Sequence, residues 1–347
     1  REMFQNAYDV RPRDGPPLLF EVEIDEDGSM TISHNGIQFR PPSEEQKNGE
    51  LLSLFHLGAT TKDSSWDSEG QFGIGFKGWV TFFQEVRVSC VSEKEEISVS
   101  WRVDSDGYHS VEIEKEDVRE IARGMRERQL TTSFTFRLLI PNKPKPSSTE
   151  ILEELNSLTR FRPHPVTCRV EDHDDNETEI IHEADVLHHD QDHRILLIRN
   201  QGGPKEHTEK MLGVELEIKK SPEITTAIQS FIDEKKDLFN THQEQDNPWE
   251  KVTVGSWYEH KRICFGVILD SPVEERLWLH RLAPINASQQ YHTNSNSLNK
   301  TLHARTNWVI DAPLWLDHNR QKTSSGPEEI EANAKIIQQA ISSAAPL

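Results

Sequence analysis

Cysteine is scarce in this sequence: Cys90, Cys168 and Cys264 are the only three in 347 residues, and they lie far apart. A disulfide framework needs paired cysteines, and a cysteine zinc site needs closely spaced ones, so we expect neither. Sparse free thiols are typical of proteins from a reducing compartment. The sequence therefore predicts a cytoplasmic protein.

Long hydrophobic runs are missing as well. The apolar runs are no longer than a β-strand, as at residues 195–198, whereas a membrane-spanning helix needs about 20 apolar residues. No stretch has the pattern of a signal peptide, so we expect no contact with a membrane. The sequence starts at Arg1 and a helical pattern follows at once, and we expect its natural N-terminus to lie upstream.

Positive charge is the third shortage. Lys and Arg number 39 against 59 Asp and Glu, which gives a formal net charge of −20. Binding nucleic acid through the whole surface requires positive charge, so the composition disfavours that function. A local basic groove stays compatible with it.

The elements read from the pattern suggest an α+β fold in two domains. Helices are predicted at 2–9, 43–57 and 76–84, and strands at 18–24, 29–33, 86–91, 97–103, 108–113 and 133–140. A helix, a hairpin and a strand meander favour a two-layer α/β sandwich. The Pro- and Lys-rich stretch at 141–148 then predicts a boundary, between a first domain at 1–141 and a second α+β domain at 146–347.

The second domain is read more coarsely. Helices are predicted at 149–158, 222–239 and 327–344, and strands at 195–198, 214–218 and 263–269. Residues 171–193 are acidic, rich in histidine and without clear periodicity, which predicts a solvated loop rather than a zinc site.

Three polar residues share one face of the first helix. Glu2, Asn6 and Asp9 lie at i, i+4 and i+7. A carboxylate and an amide one turn apart can hold a water and a Mg²⁺ ion, which prefers oxygen ligands. The same pattern also fits an ordinary solvated helix face.

Glycines mark a possible phosphate site. Gly70, Gly73 and Gly75 lead into a helix, so backbone N–H groups there can approach a phosphate. The spacing is not that of a Walker loop, and no strand precedes it. Two further segments accompany it: His34-Asn35-Gly36 after a strand, which also fits a hairpin turn, and Gly58-Ala-Thr-Thr-Lys62, which opens a polar loop.

Together these segments resemble the GHKL (Bergerat-fold) ATPases. EMFQNAYD, HNGIQF, GATTK, GQFGIGFK and the later TTSFTF occur in the order found in that family, which includes gyrase, MutL, MORC proteins, sensor histidine kinases and the ninety-kilodalton heat-shock chaperones. The likeness is greatest to the sacsin-like and chaperone branch, which often has HNG where other members have DNG. It implies a Bergerat two-layer sandwich followed by a transducer-like domain.

The resemblance also implies roles for individual residues. Glu2 would activate the attacking water, Asn6 would bind Mg²⁺, and residues 58–70 would form a lid over ATP. An arginine or a lysine of the second domain would reach the γ-phosphate; Arg320 is our candidate, and Lys219, Lys261 and Lys300 are alternatives. The nucleotide-binding set is then Asn6, Asp9, His34, Asn35, Gly36, Thr60, Thr61, Lys62, Gly70, Gln71, Phe72, Gly73, Ile74, Gly75, Phe76, Lys77 and Thr132.

The sequence departs from the family at two positions. His34 stands where the family has an aspartate that accepts a hydrogen bond from the adenine amino group, and Gln38 replaces a glycine. A neutral imidazole is not an equivalent acceptor. The sequence therefore leaves the choice between adenine and guanine open.

The resulting expectation is Mg²⁺-dependent ATP hydrolysis that closes a lid and drives a nucleotide-dependent homodimer, as a clamp or chaperone-like machine. The sacsin-like resemblance also suggests the ATPase part of a bacterial defence protein with an unknown client or effector. Two alternatives remain: a nucleotide-gated switch with little hydrolysis, and a DNA clamp of the MutL or MORC kind.

Overall fold

The computed structural model describes residues 2–11, 16–37, 83–91, 96–103, 106, 109–114, 117–138, 147–174, 176–189, 193–202, 209–217, 262–268, 276–280, 283–284 and 308–311. The chain divides into two compact units. The first comprises residues 1–160, 164–183 and 200–208, and the second comprises residues 161–163, 184–199 and 209–347.

The first unit combines helices with one mixed sheet. Its described helices are α1 (Glu2–Asp9), α2 (Val118–Glu127) and α3 (Ser148–Thr159). Its strands are β1 (Leu18–Ile24), β2 (Met30–His34), β3 (Phe83–Val91), β4 (Glu96–Val103), β5 (His109–Ile113), β6 (Thr132–Leu138), β7 (Val166–Glu171) and the first part of β8 (Glu177–His189). The strand order is β8-β7-β1-β2-β6-β3-β4-β5.

Alternation along the strands gives this sheet two different faces. The apolar face carries, in register across four strands, Phe20 on β1, His34 on β2, Thr132 on β6 and Cys90 on β3. Apolar residues such as Phe134 flank this row and are buried. Because neighbours directly across a ladder point the same way, all four side chains of the row lie on one side of the sheet.

The opposite face, here called the charged face, carries hydroxyls and ion pairs. Four serines pair across it, with hydroxyl–hydroxyl distances of 2.9 Å for Ser33 and Ser133 and 3.0 Å for Ser89 and Ser98. Farther out, Arg102 contacts Glu85, Glu112 and Glu114.

One helix packs on each face. On the apolar face, the ring of Phe4 in α1 packs edge-on against the ring of Phe20, with the ring centroids 5.2 Å apart. On the charged face, Ala122 and Met125 of α2 form a small core with Val91 and Leu130. The core of the unit therefore lies between α1 and the apolar face, and the polar residues His34 and Thr132 are buried on that same face.

The second unit contains the rest of β8 and most of β9 (His193–Gly202). Five further described strands belong to it completely. The complete strands are β10 (Glu209–Glu217), β11 (Arg262–Ile268), β12 (Arg276–His280), β13 (Ala283–Pro284) and β14 (Trp308–Asp311). Their order is β13-β12-β14-β11-β10, and β12 runs parallel to β14. The β10–β11, β11–β14 and β12–β13 pairs of this unit are antiparallel.

The α+β class is confirmed, and several predicted elements correspond closely to observed ones. α1, β1, β2 and α3 lie where the pattern placed them. Two expectations are wrong, and one helix was not predicted. The helix predicted at 76–84 does not reach its end, because β3 already begins at Phe83; α2 was not anticipated; and the segment expected to be a solvated loop forms β8 and the start of β9.

The other predicted helices, at 43–57, 222–239 and 327–344, lie outside the described residues. So does most of the predicted boundary at 141–148. Beyond it, α3 and β7 belong to the first unit, and β7 pairs in parallel with β1.

Candidate functional site

Helix α1 has one buried face and one face that is less buried. Met3, Phe4, Ala7 and Tyr8 are at most 3% exposed, whereas Asn6 is only partly buried. Asp9 is partly buried as well, so both predicted polar residues lie on the less buried side. Glu2 opens the helix. The amphipathic spacing therefore orients the helix as the sequence predicted.

A tight turn after β2 is fastened to the end of α1. The backbone N–H of Ile37 donates to the carbonyl of Val10. A Cβ on Gly36 would lie 2.8 Å from both the Cγ2 and the carbonyl oxygen of Val10. Only glycine fits such a close approach. The glycine of the HNG motif thus brings this turn against the helix that carries Asn6 and Asp9.

The side chain of Asn35 holds the same turn to β1. Its Oδ1 accepts from the backbone N–H of Leu19 at 2.8 Å, and its Nδ2 donates to the carbonyl of Pro17 at 2.9 Å. Both ends of the amide are therefore engaged by backbone groups. This arrangement gives Asn35 a positioning role in the structure, whatever it contributes to a ligand.

Thr131 secures the turn from the third side and was not singled out by the sequence. Its hydroxyl lies within hydrogen-bonding distance of the carbonyls of His34 and Gly36, and its backbone N–H donates to His34. The threonine pair in TTSFTF offered a signal, but the pattern alone could not divide the roles of its two members.

His34 is a buried, neutral imidazole. Its exposed fraction is 4%, and burial lowers its pKa from 6.5 to about 4 because the charged form is desolvated. The Nδ1 atom accepts a hydrogen bond from the backbone N–H of Gly36 at 3.1 Å. Its ring also lies near that of Phe134, with the ring centroids 6.3 Å apart.

Thr132 lies directly across the β2–β6 ladder from His34 and is fully buried. Its hydroxyl has no regular hydrogen-bond partner. The Cys90 thiol is its neighbour on β3, and the pKa of that thiol rises to about 12, chiefly through burial and despite an opposing interaction with Thr132. A thiol is a weak partner, so we regard the Thr132 hydroxyl as unsatisfied.

The buried, unpartnered hydroxyl of Thr132 favours a ligand on this face of the sheet over a closed core. A buried hydroxyl without a partner is costly in a folded protein, and a ligand can satisfy it. Asn6 carries its amide on the less buried side of α1, and an amide oxygen is a type of ligand that Mg²⁺ accepts, since that ion keeps several waters and takes few protein ligands.

The structure thus brings part of the predicted set together. Val10 and Gly36 join α1 to the turn after β2, and the register places His34 opposite Thr132. The remaining predicted site residues lie outside the described residues: Thr60, Thr61, Lys62, Gly70, Gln71, Phe72, Gly73, Ile74, Gly75, Phe76, Lys77 and Arg320.

A cavity of about 490 Å³ lies on the charged face, away from this site. Its lining includes Glu21, Glu23, Glu127, Glu171 and Glu177 against Arg128 and Arg169. Five carboxylates and two guanidinium groups leave three net negative charges. Such a lining repels a triphosphate, so this cavity is a poor candidate for the nucleotide.

Among the described helices, none combines the length and the apolar character needed to cross a membrane.

Comparison with known proteins adds likenesses at low identity. No family model matches the chain, and no curated protein matches it. The chain is similar to the ATP-binding domain of topoisomerase IV from Francisella tularensis, with a TM-score of 0.48 and 11% identity, covering 99% of this chain and 91% of that one. It is also similar to the 43K ATPase domain of Thermus thermophilus gyrase B, with a TM-score of 0.44, 12% identity and coverage of 99% and 84%.

Proposed function

We propose that the chain is an ATPase module of the GHKL type that binds a purine nucleoside triphosphate with Mg²⁺ and hydrolyses it. The observation that carries this proposal is the joining of two motif segments that are distant in sequence. Gly36 packs against Val10 at the end of α1, and the buried pair of His34 and Thr132 lies on the sheet face that α1 covers. The family motifs, in their order, supply the remaining support.

In this proposal the base lies against the apolar face near His34 and Thr132, and the phosphates lie toward the less buried side of α1. Asn6 would hold Mg²⁺, which would supply positive charge to the phosphates. Glu2 accepts the proton of the attacking water as the general base. The family resemblance alone assigns the glycines at 70–75 to the phosphates and Arg320 to the γ-phosphate, because these residues lie outside the described part of the chain.

Glu2 and Asn6 can be tested separately because their roles differ. We expect the wild-type chain to release phosphate from a purine triphosphate with Mg²⁺. Glu2→Ala should abolish release and leave nucleotide binding intact, since it removes a base rather than a contact. Asn6→Ala should weaken binding in the presence of Mg²⁺ and have a much smaller effect in EDTA.

Glu26→Ala is the matched control, because it removes an exposed carboxylate from the β1–β2 turn. It should leave phosphate release unchanged. Binding without phosphate release in the wild-type chain would instead assign a nucleotide-gated switch. An absence of binding to any purine triphosphate would overturn the proposal.

The conformational output is also part of the proposal. The family resemblance implies that residues 58–70, which lie outside the described residues, close over the nucleotide and that two copies of the chain associate when it is bound. Sedimentation with a non-hydrolysable analogue should detect a dimer that is absent without nucleotide. A monomer at high concentration in both states would contradict this part and leave hydrolysis untouched.

A further inference from the structure

The tautomer of His34 is fixed by its neighbour. A backbone N–H can only donate, so the bond from Gly36 to Nδ1 requires Nδ1 to be unprotonated. A neutral imidazole carries one ring proton, which must then reside on Nε2. Burial keeps the ring neutral. His34 is therefore a hydrogen-bond donor through its Nε2–H group and has no free ring acceptor.

No hydrogen bond to Nε2 comes from the described part of the chain, where the ring contacts Gly36 and Phe134. The Thr132 hydroxyl lies directly across the ladder on the same face, and it is buried without a regular partner. Neighbouring strands thus present a ring donor and a buried hydroxyl on one face of the sheet. A ligand that supplies an acceptor would offset the cost of leaving the Thr132 hydroxyl without a partner.

We propose that His34 and Thr132 read the purine base as donors, and so select a 6-oxopurine nucleotide over a 6-aminopurine nucleotide. This inference rests on the proposed function and names the substrate class of that site. A carbonyl at position 6 of the base accepts a hydrogen bond from Nε2–H, whereas an amino group presents its own hydrogens to that donor. A carboxylate at residue 34 would have the opposite preference, because it can only accept.

The expected preference for a 6-oxopurine is moderate, because ATP can still form some of these hydrogen bonds. Adenine retains its ring N1 as an acceptor, and the Thr132 hydroxyl can rotate to donate or to accept. One net hydrogen bond changes an equilibrium constant by a factor of about 2 to 10. We therefore expect ITP to bind several-fold to about tenfold more tightly than ATP.

The test compares ATP with ITP, which differ at position 6 of the base and in the protonation of N1. Affinities are measured by calorimetry with the full chain in Mg²⁺. Wild type should prefer ITP, and His34→Asp should reverse the preference in favour of ATP. Thr132→Val should weaken ITP binding several-fold. His173→Asp makes the same change at a half-exposed histidine and should keep the wild-type ratio.

A second readout does not depend on any variant folding. Nitrogen NMR of histidine-labelled protein distinguishes the two neutral tautomers, and His34 should carry its proton on Nε2. A proton on Nδ1, or an ATP affinity equal to or above that for ITP in wild type, would overturn the inference and leave the proposed function standing. Failure to bind either nucleotide would overturn both.

Discussion

The buried imidazole of His34 makes the stability of the folded chain depend on pH. Its pKa falls from 6.5 to about 4 in the folded chain, so between these values the unfolded state binds a proton that the folded state does not. The free energy of unfolding must therefore decrease as pH falls from 6.5 to 4. A shift of that size corresponds to about 3 kcal/mol.

We expect His34→Gln to remove this pH dependence. Urea unfolding at pH 7, 5.5 and 4.5 should show wild type losing about 2 kcal/mol more than the variant over that range, because pH 4.5 is still above the folded-state pKa. His173→Gln should follow the wild-type profile, because its imidazole is half exposed. Parallel curves for wild type and His34→Gln would contradict the assignment of a buried, neutral His34.

The two adjacent threonines should respond in opposite ways to the same substitution. The Thr131 hydroxyl bonds the carbonyls of His34 and Gly36, whereas the Thr132 hydroxyl has no regular partner. Thr131→Val should cost about 1–2 kcal/mol, and Thr132→Val should be neutral or stabilising. Chemical denaturation measures both. Equal destabilisation by the two variants would mean that Thr132 is satisfied in the unliganded chain.

At the scale of elements, α3 owes its start to a reciprocal cap. The Ser147 hydroxyl accepts from the backbone N–H of Glu150 at 3.2 Å, and the Glu150 carboxylate accepts from that of Ser147 at 3.4 Å. Ser147→Ala removes the cap and should cost about 1 kcal/mol. Ser157→Ala, inside the same helix, should be neutral or slightly stabilising, because alanine is the better helix former.

Urea unfolding monitored by circular dichroism can separate these two serine variants. Equal stabilities would show that the cap contributes nothing measurable to α3.

The elements also show where sequence patterns succeed. The 3.6-residue period of α1 and the alternation of β1 are local, because each element buries one side against the core. The pattern missed α2, which has Gly124 near its middle and few apolar residues beyond Ala122 and Met125. Its helical state depends on packing against Val91 and Leu130, and that contact is not visible from the segment itself.

At the scale of the whole molecule, the first compact unit continues past the predicted domain boundary. β7 follows the linker and pairs in parallel with β1, and Val166 and Cys168 are fully buried there. Ending the chain at residue 141 would leave β1 as an open edge and expose its apolar residues, such as Leu18.

We therefore expect a fragment of residues 1–141 to unfold without a cooperative transition or to aggregate. A fragment of residues 1–208, which contains the whole first unit, should keep a cooperative thermal transition. Circular dichroism and light scattering distinguish the two outcomes. Cooperative unfolding of the shorter fragment would show that the parallel pairing with β7 is dispensable.

The sequence by itself determined the α+β class, the helix with Asn6 and Asp9 on its more open side, and the set of candidate residues. These follow from local periodicity and residue chemistry. The tertiary structure alone decided that Gly36 lies against Val10, that the Asn35 amide is held by the start of β1, and that His34 faces Thr132 with Nδ1 occupied. Such contacts join residues up to about a hundred positions apart, and strand register rather than local preference sets them.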